Sequence, residues 1–410
     1  MTKGEFRCRA CDGRRVPLVI SLGRTPLANA LLSADQLDAH EDTYPLDLVF
    51  CEDCTLVQIT ETVPPSRLFA DYAYFSSFSD TMLRHAETLV ERVIRDRQLA
   101  GDALVAEIAS NDGYLLQFYR RAGIRVLGIE PAANIAKVAE ERGIPTVVDF
   151  FGEACARTLA ARGDRADVIH ANNVLAHVPD LPGFARGLTT LLSHDGVAIV
   201  EAPYVRDLID HREFDTIYHE HLSYFSLTAI HRLCASHGLA VIDVERLPIH
   251  GGSLRVTIGH AGGAPPSPAV GRLLDEEEAA GVTRLGFYQR FANDVADLRR
   301  SLLTVLSDLR AEGKRLAAYG AAAKGSTLLN YFGIGRDYLD YVVDRSPHKQ
   351  GRYMPGVHLP IHAPSRLLED RPDCVLLLTW NFADEILAQQ AEFRQGGGRF
   401  IIPVPAVRVA

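Results

Sequence analysis

Two separate runs of alternating strand-like and helix-like segments constrain this chain more than any other feature. Between residues 67 and 262, the runs LVAEIAS, RVLGIE, ADVIHANNVL and GVAIVEAP alternate with helical stretches. Such alternation implies βαβ units around a parallel sheet, because parallel neighbours can be joined only by a crossover. From Arg315 the pattern starts again with RLAAYG, a helix through SLLN, YLDYVVD, and later DCVLLLTW and RFIIPVP. The 410 residues exceed what one ordinary core organises, so two α/β bodies are expected, at 67–262 and 314–410. Between them lies the Gly/Pro-rich break AGGAPPSPA and then a helical segment. There Phe291, Val295, Leu298, Leu302, Val305 and Leu309 step by three and four and share one face. Residues 263–313 therefore read as a linker and a long helix packed along that stripe.

The first 66 residues follow neither pattern. Cys8-Arg-Ala-Cys11 and Cys51-Glu-Asp-Cys54 form two C-x₂-C knuckles. Each tight turn presents two thiolates to one metal, and two turns complete a tetrahedral sulfur site for which zinc is the first choice. A Cys₄ site leaves no position for water or substrate, so the expected role is structural. The metal would stabilise a module too small to fold comfortably alone. Cys155, Cys234 and Cys374 stand singly among apolar residues and read as buried core.

In the first α/β body, Leu104–Ile108 reads as a buried strand entering a turn, Ala109-Ser-Asn111-Asp-Gly113, that opens a helix near Tyr114. A second strand ends in Glu130-Pro131, which places a carboxylate where it can accept from ribose hydroxyls. The turn carries Glu107, Asn111 and Asp112 in place of the G-x-G-x-x-G that seats a pyrophosphate. Carboxylates suit a ligand bearing a sulfonium and an ammonium and no phosphate, so S-adenosylmethionine fits better than a dinucleotide. A third strand position, Val148-Asp149-Phe150-Phe151, offers an acid and aromatic surface for adenine. A fourth strand delivers Asn172 and Asn173 at its carboxyl end, with His177 just beyond.

The most chemical stretch is Tyr218-His219-Glu220-His221-Leu-Ser-Tyr224, directly after a strand of the same body. It does not carry H-E-x-x-H zinc spacing. Histidine can be neutral and basic at cell pH, and a positioned base contributes ~10²–10⁴-fold. Forming a carbon–carbon bond to an activated methyl needs such a base to remove a proton beside a carbonyl. A tyrosine or protonated histidine can donate to the developing enolate oxygen. A second aromatic-hydroxyl run, Asp71-Tyr72-Ala-Tyr74-Phe-Ser-Ser77, reads as a roof for the same pocket or as a packing hinge.

These motifs together resemble the nucleotide-sugar C-methyltransferase family, which builds branched deoxysugars for antibiotics and surface glycans. The likeness spans nearly the whole chain: the Cys₄ module, the Asp71–Ser77 run, EIASNDGYLL, YHEHLSYFS, HGGSLR at 250–255 and GAAAKG at 320–325. It implies an N-terminal zinc-binding module, a central Rossmann-like class I methyltransferase domain and a second Rossmann-like domain that helps to hold the nucleotide sugar. It implies further that His221 deprotonates C3 beside a C4 ketone, with Glu220, Tyr218, His177 and Tyr72 around the sugar. On this reading Tyr74, Ser77 and Tyr224 line the substrate, and His250, Ser253 and Arg255 supply it with a flexible loop and a cation, although the residues of HGGSLR alone read equally as a simple turn. Gly320 and Lys324 meet its diphosphate at a helix start, and Asp344 meets a ribose. A thymidine-linked 4-keto-6-deoxysugar is the favoured substrate, with guanosine as the alternative base.

A net charge of −9 and pI near 5.9 argue against nucleic acid or an anionic membrane as partner. No apolar signal core opens the chain and no run reaches the ~20 residues a membrane span needs, so a cytoplasmic monomer or weak oligomer is expected. Three rivals stay open at this point. One is a sugar O- or N-methyltransferase. Another is a non-catalytic zinc-bearing scaffold with a vestigial cofactor fold. The last is an NAD-linked enzyme, disfavoured by the missing G-x-G-x-x-G.

Overall fold

The computed structural model describes residues 6–64, 77 and 80–410. The N-terminal module is an antiparallel sheet of β1 (Leu18–Thr25), β2 (Tyr44–Phe50) and β3 (Val57–Ile59). One knuckle precedes β1 and the other forms the β2–β3 turn, and they close in the same way. Asp12 N–H donates to Cys8 O and Thr55 N–H to Cys51 O, with both residues at positive φ. That left-handed step turns the chain sharply enough to aim two sulfurs at one point.

The central body contains β4 (Leu104–Ile108), β5 (Arg125–Ile129), β6 (Thr146–Val147), β7 (Ala166–Asn172) and β8 (Leu192–Pro203). Beyond them, β9 (Ser223–Tyr224) leaves this body and pairs with β3, so the N-terminal sheet has four strands. The hairpin of β10 (Leu239–Leu247) and β11 (Ser253–His260) completes a seven-stranded sheet of order β10-β11-β8-β7-β4-β5-β6. Within this sheet β11 runs opposite to the other six strands. All five residues of β4 are buried, as a central parallel strand covered on both faces must be. The third strand ends at Val147, so Val148–Phe151 form the loop beyond it and not the strand expected from sequence. This short edge strand pairs with β5 through two residues only.

The C-terminal body is a six-stranded sheet: β12 (Leu316–Tyr319), β13 (Val342–Val343), β14 (Ile361–His362), β15 (Cys374–Leu377), β16 (Arg399–Ile402) and β17 (Arg408–Val409). Its order is β14-β13-β12-β15-β16-β17, parallel except for β17. Both large sheets therefore reverse direction of growth beside their first strand, which is where ligands bind in such sheets.

Two helices, Pro268–Ala280 and Leu285–Ala311, connect the bodies. The second buries Phe287, Tyr288, Phe291, Val295, Leu298, Leu302 and Leu306. Val305 and Leu309 of the expected stripe are only partly covered, and Leu306 takes the inner position. One apolar core runs from β1–β3 through this helix into the C-terminal sheet. At ~1.5–3 kcal/mol per large buried side chain, those seven contacts make the helix part of a shared core, not a tether. Cys155, Cys234 and Cys374 are buried. Among the described residues, no helix is long and apolar enough to cross a membrane.

Candidate active site and zinc centre

The sulfurs of Cys8, Cys11, Cys51 and Cys54 lie within 4.8 Å of one another. Cys8 and Cys54 are 3.4 Å apart and Cys11 and Cys51 are 3.6 Å apart. Four sulfurs ~2.3 Å from a single ion in a tetrahedron would stand about 3.8 Å apart, so the set fits zinc. Gln58 donates from Nε2 to Cys8 Sγ at 3.1 Å, a neutral donor that steadies a thiolate. The site is closed by its own four ligands, as a structural ion requires.

The cofactor cleft opens at the carboxyl ends of β4, β5 and β7. Ala109, Asn111 and Gly113 all have positive φ, and a side chain at Gly113 would meet Ile144 Cγ1 at 2.8 Å. The chain thus turns too tightly at Gly113 for any other residue. Glu107 and Asp112 are buried, and Glu107 Oε2 and Asp112 Oδ1 have no protein partner. Burial holds the Glu107 carboxyl well above its usual range, and neighbouring Glu130 and Asp112 add to the effect. Asn172 Oδ1 at the end of β7 is likewise buried without a partner. Orphaned acceptors beside buried acids suit a cationic ligand, so the fit to S-adenosylmethionine rests on the cleft itself. Glu130 accepts Asn111 N–H at 3.0 Å and, across Pro131, Ala132 N–H at 2.9 Å. Each of its oxygens keeps a second lone pair, so the carboxylate can still accept from a ligand hydroxyl. Asp149 turns back to accept Phe150 N–H at 2.8 Å. Phe150 is about half exposed, whereas Phe151 packs edge-on against Phe184. Asn173, also at positive φ, donates its N–H to Glu201 O at 2.8 Å.

Ser77, Asp112 and Arg142 are joined at this turn, a contact the sequence does not signal. Ser77 Oγ donates to Asp112 Oδ2, and Arg142 Nη1 donates to the same oxygen at 2.9 Å. Ser77, expected against substrate, is thereby fastened to the cofactor turn. Tyr72 and Tyr74 lie outside the described residues.

The stretch Tyr218–Tyr224 crosses between the bodies. His221 Nδ1 lies 3.0 Å from Thr216 O and its Nε2 lies 2.9 Å from the Tyr218 hydroxyl. A carbonyl can only accept, so Nδ1 carries the proton and Nε2 presents a lone pair to which Tyr218 donates. The His177 ring is 5.0 Å from that of His221 and edge-on to it. By the same logic, His177 Nδ1–H donates to Glu220 O at 2.8 Å, and burial lowers its pKa toward the neutral form. Tyr224 stands edge-on to His221 at 6.4 Å. His219, by contrast, is buried against Tyr44 and the Pro45 carbonyl, and it anchors the loop to β2. Glu220 accepts a hydrogen bond from Asn29 Nδ2 at 2.7 Å. Asn29 belongs to the loop between β1 and β2, so the zinc-bearing module itself reaches the site.

The C-terminal body repeats the device seen at Glu130. Asp344 accepts Ala321 N–H at 2.7 Å and Ser346 N–H at 2.8 Å, one from the first-strand turn and one from its own loop. Gly320 has φ +101°, and a side chain there would strike Thr379 at 2.6 Å. Lys324 Nζ donates to Asn381 Oδ1 at 3.0 Å and lies 4.4 Å from the centre of the Trp380 ring.

Of the two readings of HGGSLR, the structure shows the turn and not a cation offered to a ligand. Arg255 is buried, with Nε 2.6 Å from Glu201 and Nη1 3.0 Å from Glu245, so its charge is neutralised inside the β8-β11-β10 array and not offered to a ligand. Ser253 is fully buried and donates to Ile249 O, which closes the turn. The His250 side chain lies outside the described residues. Nothing in local sequence distinguishes an arginine in a ligand loop from one paired across a hairpin. The register Arg255↔Glu201 and Glu245↔Arg255 decides it.

Comparison with known proteins agrees with this arrangement. Family models match in chain order: a zinc binding domain at residues 8–69, a methyltransferase domain at 82–244 and a C-methyltransferase C-terminal domain at 248–405. C-methyltransferase NovU of Streptomyces niveus is 38% identical over 403 residues, which is 98% of this chain and 96% of NovU. A ubiquinone biosynthesis O-methyltransferase of Methylobacterium sp. (strain 4-46) is 38% identical over 92 residues, 22% of this chain and 35% of its own. Among solved structures, magnesium protoporphyrin IX methyltransferase of Synechocystis PCC 6803, with bound SAM, covers 48% of this chain and 88% of its own at 15% identity and a TM-score of 0.34. With a zinc-binding module, a cofactor cleft and a full-length match of this strength, the chain belongs to the C-methyltransferase family and is an S-adenosylmethionine-dependent methyltransferase.

Proposed function

We propose that this enzyme methylates C3 of a nucleotide-linked 4-keto-6-deoxysugar, with a thymidine diphosphate sugar favoured, through base-catalysed enolate formation at His221. The observation that carries the reading is the fixed tautomer of His221. Its Nδ1–H is committed to the Thr216 carbonyl, so the basic Nε2 faces Tyr218 beside His177. When bound, S-adenosylmethionine supplies a methyl group made electrophilic by the sulfonium sulfur.

The protein's part is proton transfer and orientation. Nε2 of His221 takes the C3 proton, and the electron pair of that C–H bond shifts toward C4 as its carbonyl oxygen gains charge. The Tyr218 hydroxyl, displaced from Nε2 as the imidazole becomes protonated, donates to that oxygen. His177, kept neutral, with its proton on Nδ1, presents an acceptor to a sugar hydroxyl. Lys324, the turn at Gly320 and Asp344 hold the nucleoside diphosphate at the first strand of the C-terminal sheet. The continuous core through the long helix supports a fixed distance between that nucleotide site and His221. The Glu130, Asp149 and Asn172 end of the central sheet takes the cofactor.

The test uses thymidine- and guanosine-linked 4-keto-6-deoxysugars in D₂O, with mass and NMR analysis of the sugar. One ring hydrogen is expected to exchange without cofactor, and the new methyl is expected on carbon. His221→Ala should abolish both while calorimetry shows undiminished cofactor binding. A methyl found on oxygen or nitrogen would overturn the reading. Exchange that survives in His221→Ala but is lost in His177→Ala would transfer the role of base to His177.

A further inference from the structure

The chain has one tryptophan, Trp380, in the turn after β15. Its indole is buried between two opposite charges. The N–H donates to Asp215 Oδ2 at 2.7 Å, and Lys324 Nζ lies 4.4 Å from the ring centre. A cation over the face and a carboxylate at the N–H edge polarise an indole in the same sense. Lys324 is the lysine of the Gly320–Gly325 turn. Asp215 sits in the short turn Phe214–Thr216, immediately before the carbonyl that receives His221 Nδ1–H.

That turn is pinned to the C-terminal body at two further points. Phe214 stacks on Phe332 at 4.6 Å, and Thr327 Oγ1 donates to Ile217 O at 3.3 Å. Asp215 is wholly buried, and its Oδ1 has no protein partner. Burial pushes its carboxyl up to about 6, while Lys324 and the indole N–H pull it down. The carboxylate therefore depends on both groups to stay charged. A contiguous chain of contacts thus runs from Lys324 through Trp380 and Asp215 to the Thr216 carbonyl and His221.

We propose that Trp380 is a positioning residue that couples occupancy of the Gly320–Gly325 turn by the substrate's diphosphate to the placement of His221. This rests on the reading of Lys324 and His221 given above. A diphosphate at the turn draws the Lys324 ammonium from the indole face toward phosphate oxygens. Trp380 and Asp215 then readjust, and Thr216 O moves with them. The residue touches neither sugar nor cofactor and acts through the turn.

Because Trp380 is the sole tryptophan, its emission reports this directly. The full-length, zinc-loaded protein is titrated with thymidine diphosphate and guanosine diphosphate, with binding followed by calorimetry in parallel. A saturable change in tryptophan emission is expected, with the same midpoint as the heat of binding, and Lys324→Met should remove the emission change. In turnover assays, Trp380→Phe should lower kcat on the order of tenfold, the lower end for losing one hydrogen bond to a charged acceptor, and leave nucleotide affinity within about threefold. Asp215→Asn keeps an acceptor for the indole and should recover most of the kcat that Asp215→Ala loses. Calorimetric binding with unchanged emission would overturn the coupling but leave the nucleotide site standing. An equal loss in kcat for Asp215→Asn and Asp215→Ala would also overturn it. The absence of nucleotide binding by calorimetry would instead overturn the reading on which it rests.

Discussion

Asn29→Ala is the most informative single change, because it separates the zinc-bearing module's contribution to the site from its contribution to folding. In the native protein, burial raises the Glu220 carboxyl above its usual range, and the hydrogen bond from Asn29 Nδ2 at 2.7 Å opposes that rise. A hydrogen bond to a charged acceptor is worth roughly 1.5–3 kcal/mol. Asn29 is exposed, so solvent screening reduces this to about 1.4 kcal/mol, equivalent to about one pH unit. The sign is definite: removing a donor that favours the ionised form must raise the Glu220 pKa. Isotope-edited NMR of glutamate carboxyls, with Glu220→Gln to assign the resonance, should show its midpoint move up by about one unit. Where the ionised carboxyl is needed for turnover, the acidic limb of kcat/KM should move up by the same amount. Asn29→Asp should push Glu220 higher still, since two carboxylates would then share the contact. A Glu220 midpoint that stays put or falls in Asn29→Ala would refute the reasoning.

Other expectations follow from buried groups. Glu277 caps the helix Leu227–Ala235 from outside, accepting Leu227 N–H at 2.7 Å, Thr228 N–H at 2.8 Å and Thr228 Oγ1–H at 2.6 Å, so Glu277→Ala should cost ~3 kcal/mol by urea unfolding, and a loss under ~1 kcal/mol would contradict that role. His170 is wholly buried against Tyr119, and desolvation lowers its pKa to about 3. Its neutral form is therefore the one that folds. Stability should be intact above the unfolded value near ~6.5 and fall progressively as pH drops toward 3, a slope that His170→Gln should reduce. Glu130→Ala should weaken S-adenosylmethionine binding by about tenfold or more on calorimetry, since the carboxylate proposed to meet the ribose also clamps two backbone N–H groups of the turn, and unchanged affinity would refute that assignment. Cys51→Ser should lower bound zinc and thermal stability together, and a stable zinc-free protein with full activity would exclude the structural assignment.

Much of the molecule is legible in its sequence, and the reasons are local. The spacing inside each C-x₂-C knuckle already dictates two sulfurs on one turn, and two such turns together suit a tetrahedral metal. Alternating buried strands and amphipathic helices can satisfy their apolar faces only as wound parallel sheets. A missing glycine motif beside carboxylates already disfavoured a pyrophosphate. The third strand ends before the residues that look most like strand: Val148, Phe150 and Phe151 have strand character, yet Val148 and Phe150 are about half exposed beyond the edge of the sheet. Leu306 displaced Val305 from the helix stripe because facing surfaces on both sides, not period alone, choose the inner row.

Sequence by itself determined the chemistry available: which residues are acids, bases and thiols, and which backbone turns they sit beside. Pairings between residues far apart in the chain were decided by tertiary structure alone. Arg255 became a buried counter-charge to Glu201 because β11 lies beside β8, and Asn29 joined the site because the β1–β2 loop packs against Glu220. Trp380 met Asp215 across the two bodies for the same reason. Short-range geometry is set by bond rotations and hydrogen bonds that a few residues carry within themselves. Such long-range contacts depend on where the strands and bodies come to rest, and that is determined by the summed burial of the whole core.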